Sequence, residues 1–596
     1  MPFVSLNKNA VTAMTVLAMM VTGCGDDPAA EADDLSWIDE MPLTPLATPC
    51  SVASGTGFAT ITLAAGGESV LVSLRADSAI LVNGEVCALA GVMKKLTISS
   101  PVASTGADTV IIDFLNGNFL AGSTTTANII IDMVAGTDSF KLRGRNSATT
   151  GDVLTFGAGT AGVVAVNFAA DLNKDITVAN ADTFAVATGN GIDTVTGAGG
   201  AGTGAAFTAA LSINGGALVD TLTGGDGADT ISGGAGNDTI SGGLGADILN
   251  GDADNDTFNE GAVTNGADTF NGGTGTDTVS YALRTAIVTV TIAASGGTAD
   301  DGEGTETDDV IDDVEVVTGG TLADTMTCQA AGCTLNGGAG DDILTGAAGA
   351  DTLNGDAGND TLTGAAGADT LNGGVGDDTF VEGTAASGGD VFNGGAGTDT
   401  VDYSGRSAAL LVTMDGVTAD DGDSGSTEGD DVNVDVENLL GGSGADTITG
   451  NLNNNVITGG TGNDTLSGGA GDDTFRERAV TSGADSFDGG AGVDTVDYSA
   501  RVAALTVTMD GVAADDGLSG EIDNVSATVE NLLGGTAGDT ITGNLLDNNI
   551  DGGLGADTIV GGAGDDILDG AGGTDSVTGG DGDDICIGET LVTCEL

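Results

Sequence analysis

From Gly224 onward the chain counts in nines. The first blocks are GGDGADTIS at 224, GGAGNDTIS at 233, GGLGADILN at 242 and GDADNDTFN at 251, and GGTGTDTVS follows alone at 272. A second array starts at 337, 346, 355, 364 and 373, with an outlier at 394. A third starts at 441, 450, 459 and 468, with an outlier at 489, and a last one runs from 534 through 543, 552, 561, 570 and 579. Three such units already suffice to build a solenoid. Glycine at the first, second and fourth places permits positive φ and leaves carbonyl oxygens unshielded. The sixth place carries a carboxylate. The eighth is apolar, as in Ile231, Ile240, Leu249, Leu344, Leu353, Leu362, Ile448, Leu466, Ile559 and Leu568. A three-residue strand centred there points its eighth residue inward and neighbours such as Thr230 and Ser232 outward. A low-complexity Gly/Asp linker does not account for that register.

The pattern G-G-x-G-x-D-x-U-x, with U a large apolar residue, resembles the calcium-binding RTX, or haemolysin-type, repeat over most of residues 224–588. The resemblance implies an all-β fold, a parallel β-roll or β-solenoid, with Ca2+ as cofactor between successive coils. Calcium takes six to eight oxygens at about 2.3–2.6 Å, more than one turn supplies, so stacked turns share each ion. Carried onto this chain, the carboxylate ligands are Asp229, Asp238, Asp247, Asp256 and Asp277; Asp342, Asp351, Asp360, Asp369, Asp378 and Asp399; Asp446, Asp464, Asp473 and Asp494; and Asp557, Asp566, Asp575 and Asp584. The carbonyl ligands are those of Gly224, Gly225, Gly227, Gly233, Gly234, Gly236, Gly337, Gly338, Gly340, Gly459, Gly460, Gly462, Gly561, Gly562 and Gly564. Some blocks depart from the pattern. Asn455 and Asn548 replace the sixth-place Asp, the blocks at 346 and 364 carry alanines, and the block at 251 lacks two glycines, which puts calcium at those turns in doubt. Second acids just before the sixth place, at Asp341, Asp377, Asp472 and Asp565, are expected to tune charge rather than donate to an ion.

Composition agrees with a cation-ordered polymer. The 596 residues include 89 Asp+Glu against 13 Lys+Arg, a formal net charge of −76, with 105 glycines and 3% aromatics. Such a length would ordinarily divide into roughly four domains, yet so few aromatics and so much glycine do not build four globular cores. The 40% hydrophobic fraction is too high for a charged disordered chain. The chain has no histidine, which excludes Ser-His-Asp and Cys-His nucleophiles and the HExxH zinc protease. It has neither a G-x-S-x-G elbow nor a G-x-x-x-x-G-K-[ST] phosphate loop. Nucleic acid is excluded as a partner because two polyanions repel.

The first residues read as an export signal: Lys8 flanks an apolar stretch from Ala10 to Val21, about 12 residues, too short for the roughly 20 that span a bilayer. It ends Val21-Thr22-Gly23-Cys24, which resembles the lipobox of bacterial lipoproteins and implies cleavage after Gly23 and a lipid on Cys24. An ordinary secretory signal with an incidental cysteine is the rival. Residues 24–49 form an acidic, proline-containing tether. Six cysteines remain, and six allow 15 pairings. Locality favours Cys50–Cys87, Cys328–Cys333 and Cys586–Cys594, against free buried thiols, with Cys586 the doubtful member because it sits in an inward-facing slot.

The arrays are modules of a longer repeat. Phe258, Phe380 and Phe475 close an array, Phe270, Phe392 and Phe487 lie 12 residues later, and Tyr281, Tyr403 and Tyr498 follow after 11 more. These aromatics plug the core where the regular coil ends or, as the less favoured reading, form a sugar-binding ladder. The text DTVDYSGRSAALLVTMDGVTADDG, at Tyr403, returns nearly unchanged at Tyr498, and each copy leads to VENLLGG. Acidic loops fall inside the modules: Asp300, Asp301, Glu303 and Glu306; Asp420, Asp421, Asp423 and Glu428; Asp515, Asp516 and Glu521. They read equally as weak ion sites and as solvated loops. The expected organisation is a signal at 1–23, the tether, a β-rich region at 50–223, arrays at 224–281, 337–403, 441–498 and 534–588, β inserts at 282–336, 404–440 and 499–533, and a cap at 589–596. Fragments such as GADTV at 106, GTDSF at 136, ADTFAV at 181 and GIDTV at 191 mark region 50–223 as a degenerate β-solenoid or a β-sandwich leading into the first array. Its few basic residues, Lys94, Lys95, Lys141, Arg143 and Arg145, form a patch serving solubility or an anionic partner.

The expected function is an exported, lipid-anchored calcium-binding protein at the cell surface or outside the cell, folding where calcium is abundant. A long anionic solenoid suits surface adhesion or matrix formation, with a cell-surface or polysaccharide partner. The chain is not expected to be an enzyme; the alternative is an extracellular enzyme acting on polysaccharide through residues 50–223. A toxin would need a long apolar pore-forming segment that the sequence lacks.

Overall fold

The computed structural model describes the strands between Ser51 and Ala179, and residues 181–594 apart from 200–202, 204, 294–300, 305, 330–331, 418–420, 426–427, 513–515, 589 and 593. The signal, the tether, Cys24, Cys50, Lys94, Arg145, Asp300, Asp420 and Asp515 lie outside the described residues. Among the described residues there is no helix, hence none long and apolar enough to cross a membrane.

The strands form where the period places them. Thr239–Ser241, Thr361–Thr363 and Thr400–Asp402 bury only their central, eighth-place residue. Glycine-rich turns on either side halt each strand, while β-branched residues at the outward places suit the pleat. Two nonapeptides make one coil. Ile231 pairs with Leu249 and Ile240 with Phe258, so each block stacks on the block after next, and the eighth-place side chains superpose into a fully buried column. Parallel pairing with a short crossover is the one arrangement that keeps every inward residue above its equivalent.

Contacts divide the chain into two compact units, residues 1–283 with 295–315 and residues 284–294 with 316–596. In the first unit a parallel ladder runs Ser69–Leu74, Thr109–Asp113, Ser139–Arg143, Thr183–Ala187, Leu211–Ala217 and Thr230–Ala235. The degenerate fragments at 106, 136 and 181 thus contribute strands to a parallel ladder that continues into the first array. Antiparallel excursions decorate it, as where Val153–Ala158 pairs with Val163–Asn167.

In the second unit one face is an unbroken parallel ladder of short strands from Val288–Ile292 through Ile343–Thr345, Asn438–Leu440 and Asn531–Leu533 to Ile585–Ile587. The opposite face is broken into three ladders by the inserts. Asp431–Val432 closes the ladder that contains Val391–Ala396, while Leu410–Thr413 opens the next by pairing with Thr447–Thr449. Each insert therefore caps one array and starts another. On the outer surface of the second array, Asn354, Asn372, Asn393 and Asn433 each donate from Nδ2 to Oδ1 of the preceding Asn, at 2.6–2.8 Å.

The aromatics are core plugs: Phe258, Phe270, Phe380, Phe392, Phe475, Phe487, Tyr281, Tyr403 and Tyr498 are fully buried, so no sugar-binding ladder is exposed. The paired rings Phe258–Phe270, Phe380–Phe392 and Phe475–Phe487 all sit 5.7 Å apart. Cys328–Cys333 and Cys586–Cys594 are disulfides, as locality suggested, and Cys586 is only half-buried despite its inward slot.

Candidate metal centres

Turn after turn directs its sixth-place aspartate back onto the same turn of the preceding coil. The backbone N–H of Asp220 donates to Oδ1 of Asp238 at 2.7 Å, Asp238 donates to Asp256 at 2.7 Å, and Asp256 donates to Asp277 at 2.8 Å. On the facing turns Asp229 donates to Asp247 and Asp247 to Asp268. The second unit repeats the device: Asp342 donates to Asp360, Asp360 to Asp378 and Asp378 to Asp399 on one side, and Asp351 to Asp369 on the other. Further on, Asp446 donates to Asp464, Asp473 to Asp494, Asp557 to Asp575 and Asp566 to Asp584. One carboxylate oxygen thus locks coil to coil.

The other oxygen has no such use. Oδ2 is buried without a hydrogen-bond partner in Asp238, Asp247, Asp256, Asp277, Asp342, Asp360, Asp369, Asp378, Asp399, Asp464, Asp473, Asp494, Asp557, Asp566 and Asp584. A buried anionic oxygen with nothing facing it is strongly unfavourable. The neighbouring space is lined by oxygen. A Cβ added at Gly355 would run into Oδ2 of Asp360 and lie 2.6 Å from the carbonyl of Gly373, and Gly337 and Gly561 are hemmed in the same way by Asp342 and Gly355 and by Asp566 and Gly579. Carboxylate and carbonyl oxygens from stacked turns are the donor set of a hard divalent cation, so these residues fit calcium. Bound there, the ion supplies the positive charge the carboxylates lack. The protein's own part is to aim the oxygens and to keep side chains out of the cradle.

The turns are not all alike. Oδ2 of Asp229 accepts the N–H of Gly225 at 2.6 Å, that of Asp351 accepts from Ala347 at 2.8 Å, and that of Asp446 accepts from Gly442 at 2.9 Å. Asp324 and Asp539 make the same bond to Gly320 and Gly535. These turns satisfy the second oxygen internally. Asn455 and Asn548 accept from Asn451 and Asn544 through Oδ1, while their Nδ2 donates to the carbonyls of Glu437 and Glu530, so the amide still ties coil to coil but donates where a carboxylate oxygen would accept. Asp256 and Asp369, from two of the irregular blocks, keep the partnerless oxygen. The fifth-place acids form their own exposed ladder, with Asp341 accepting from Asn359 N–H and Asp377 from Thr398 N–H.

Several participants escape a search for GG-led blocks. Asp220, Asp268, Asp390 and Asp485 sit on the same ladders, as the acceptors of Asp193, Asp247, Asp369 and Asp464. Their signal is shorter, an Asp two residues before an apolar strand centre. The acidic loops also resolve. Asp301, Asp421 and Asp516 are buried, and Asp421 accepts backbone N–H groups of Thr413 and Val432. Asp308, Asp430 and Asp523 accept the phenol hydroxyls of Tyr281, Tyr403 and Tyr498 at 2.8–3.1 Å. The described acids Asp301, Asp421 and Asp516 are thus not solvated.

Burial, helped by neighbouring carboxylates and opposed by the backbone N–H bonds, pushes Asp342 up to about 7 and Asp360 to about 6 in the metal-free fold. Asp247 and Asp464 move to about 7 for the same reason. An unfolded aspartate titrates near 3.9. The folded chain therefore holds more protons than the unfolded one between about pH 4 and 7, and without calcium it loses stability as pH rises through that window. We expect the β-sheet circular-dichroism signal in chelator to be larger at pH 5 than at pH 8, and the calcium midpoint to rise on acidification because protons compete for the same oxygens. An equal or smaller chelator signal at pH 5 would contradict this.

Comparison with known families finds the RTX calcium-binding nonapeptide repeat at residues 214–249, 223–258 and 263–281, at 334–362, 345–380 and 384–405, at 440–475 and 480–500, and at 533–568, 542–577 and 551–586. No curated protein matches the chain. The matched stretches coincide with the turns whose aspartates carry the partnerless oxygens. The chain therefore carries RTX calcium-binding nonapeptide repeats in separate stretches between residues 214 and 586, with calcium as their cofactor.

Proposed function

We propose that the protein is exported, is anchored to a membrane through lipid on Cys24, and folds its β-roll on calcium outside the cytoplasm to serve surface adhesion or matrix building. The observation carrying the calcium-gated part is the row of buried Oδ2 atoms with no protein partner. Export follows from the same chemistry: a chain of net charge −76 whose coils need divalent ions gains them where calcium is plentiful. The Cys328–Cys333 and Cys586–Cys594 disulfides support an oxidising compartment. Adhesion is a non-catalytic role in which an anionic, calcium-loaded surface meets a cell surface or an acidic polysaccharide.

The anchor has a direct test. Cells expressing the full chain are labelled with a clickable fatty acid and fractionated. The wild type is expected in the membrane fraction with label, and Cys24→Ser is expected unlabelled, uncleaved at Gly23 or released. An unlabelled wild-type protein would remove the anchor while leaving calcium binding untouched.

A further inference from the structure

The chain has 13 Lys+Arg in 596 residues, and three of its arginines, Arg284, Arg406 and Arg501, are fully buried at equivalent places, of which the last two show the arrangement in full. Arg406 and Arg501 are 1% and 0% exposed. Each follows its module's buried tyrosine by three residues, and each meets a turn longer than the rest. Twelve residues separate Asp378 from Asp390 and Asp473 from Asp485, against nine from Asp369 to Asp378.

Arg406 Nη2 donates to Glu382 Oε2 at 2.5 Å and to Glu428 Oε1 at 2.7 Å, while Nη1 reaches Glu428 Oε2 at 3.1 Å. Arg501 repeats this with Glu477 at 2.5 Å and Glu521 at 3.0 Å, adding Ser482 Oγ at 2.8 Å and the Val480 carbonyl at 2.7 Å. Glu382 and Glu477 come from the long turns, and Glu428 and Glu521 from the acidic loops of the inserts. Glu428 also accepts the N–H of Ser387, and Glu521 that of Ser482, each at 2.9 Å. Three segments distant in sequence are therefore tied through one guanidinium. The aromatic plug lies against it: Phe392 packs edge-on to Tyr403 at 6.3 Å, and the Arg406 guanidinium is 5.8 Å from the Tyr403 ring.

A planar fork with five donors suits this bidentate, multi-carboxylate contact as an ammonium does not. Elsewhere the coils leave carboxylate oxygens facing no protein cation; here the protein brings one. Scarce aromatics gather at the same point, so the junction has an aromatic core where the regular coils stack aliphatic side chains.

We propose that Arg406 and Arg501 are built-in cations that close the module junctions without calcium, keeping each junction folded when the regular turns have lost their ions. The proposal rests on the calcium-gated reading of those turns. It makes the junctions fixed points from which calcium needs only to zip the arrays in register.

Hydrogen exchange of the full chain in EGTA and in calcium tests it, with Arg406→Met and Arg406→Lys beside the wild type. In EGTA, wild-type peptides covering 380–392 and 475–487 should exchange about tenfold or more slowly than those covering 340–360. Arg406→Met should erase protection at 380–392 and leave 475–487 as an internal control, with the calcium midpoint of the second array raised about threefold or more. Arg406→Lys should fall between, keeping the charge and losing the fork. Junction peptides that exchange as fast as array peptides in EGTA, or protection unchanged by Arg406→Met, would overturn the proposal. Arrays that stay protected in EGTA would instead overturn the calcium-gated reading, while the comparison of variants would still judge the arginine.

Discussion

Dialysis of the purified protein against EGTA is expected to abolish most of its β-sheet signal, and returning millimolar calcium to restore it. Two carboxylates about 6 Å apart at an effective dielectric of 20 repel by roughly 3 kcal/mol before screening. The ladders place such groups on turn after turn, at Asp342, Asp360, Asp378 and Asp399 for instance, each with a buried oxygen facing no protein donor. Glycine-rich turns add a large conformational entropy to be lost on folding. Summed over several coils, these terms exceed the 5–15 kcal/mol by which folded domains are typically stable. An ion that binds only the folded form adds about 2.7 kcal/mol at 100 times its Kd. Several such ions acting together should separate the melting temperatures in calcium and in chelator by about 20 °C or more, at roughly 2–4 °C per kcal/mol. The measurement is a thermal melt followed by circular dichroism in each buffer. Superimposable melts would refute calcium gating.

Alanine at Gly234 or Gly460 is expected to unravel the coil around it even in saturating calcium. Both residues have φ near +108°, at +108° and +107°, where a side chain is disfavoured by about 1–2 kcal/mol. Space is the larger difficulty. A Cβ at Gly234 would run into the carbonyl of Gly216, and one at Gly460 into that of Gly442, each belonging to the coil before. The stacked backbones cannot part there without breaking the ladder on both faces, so a total cost of roughly 2–5 kcal/mol follows. Gly261, where an added Cβ meets nothing within 4 Å, should accept alanine within about 0.5 kcal/mol. Urea titrations of the three variants in calcium would check this, and equal losses at all three sites would show that glycine content, not close backbone approach, matters.

The nine-residue period predicted the strands, their inward eighth residues and the carboxylate-bearing turns, because all three depend on neighbours within one block. Even the decayed fragment at 106 runs into a rung, Thr109–Asp113, paired in parallel with Ser69–Leu74 and Ser139–Arg143. The inward place of the paired phenylalanines was legible for the same reason. The use of each carboxylate was not. Asp360 and Asp351 stand in blocks of equal spacing, yet Asp360 has a partnerless Oδ2 and Asp351 binds the N–H of Ala347. That distinction lies in a bond within the block, to the N–H four residues earlier, which the repeat spacing does not reveal.

Spacing along the chain was enough to establish an all-β roll with oxygen-lined turns, since nearest-neighbour stereochemistry and side-chain alternation are local matters. Only the stacked molecule decided which oxygens lock coil to coil, which await calcium, and where Arg406 and Arg501 stand in for an ion. Those outcomes join residues such as Glu382, Arg406 and Glu428, whose attraction exists only once distant segments have been brought together out of water.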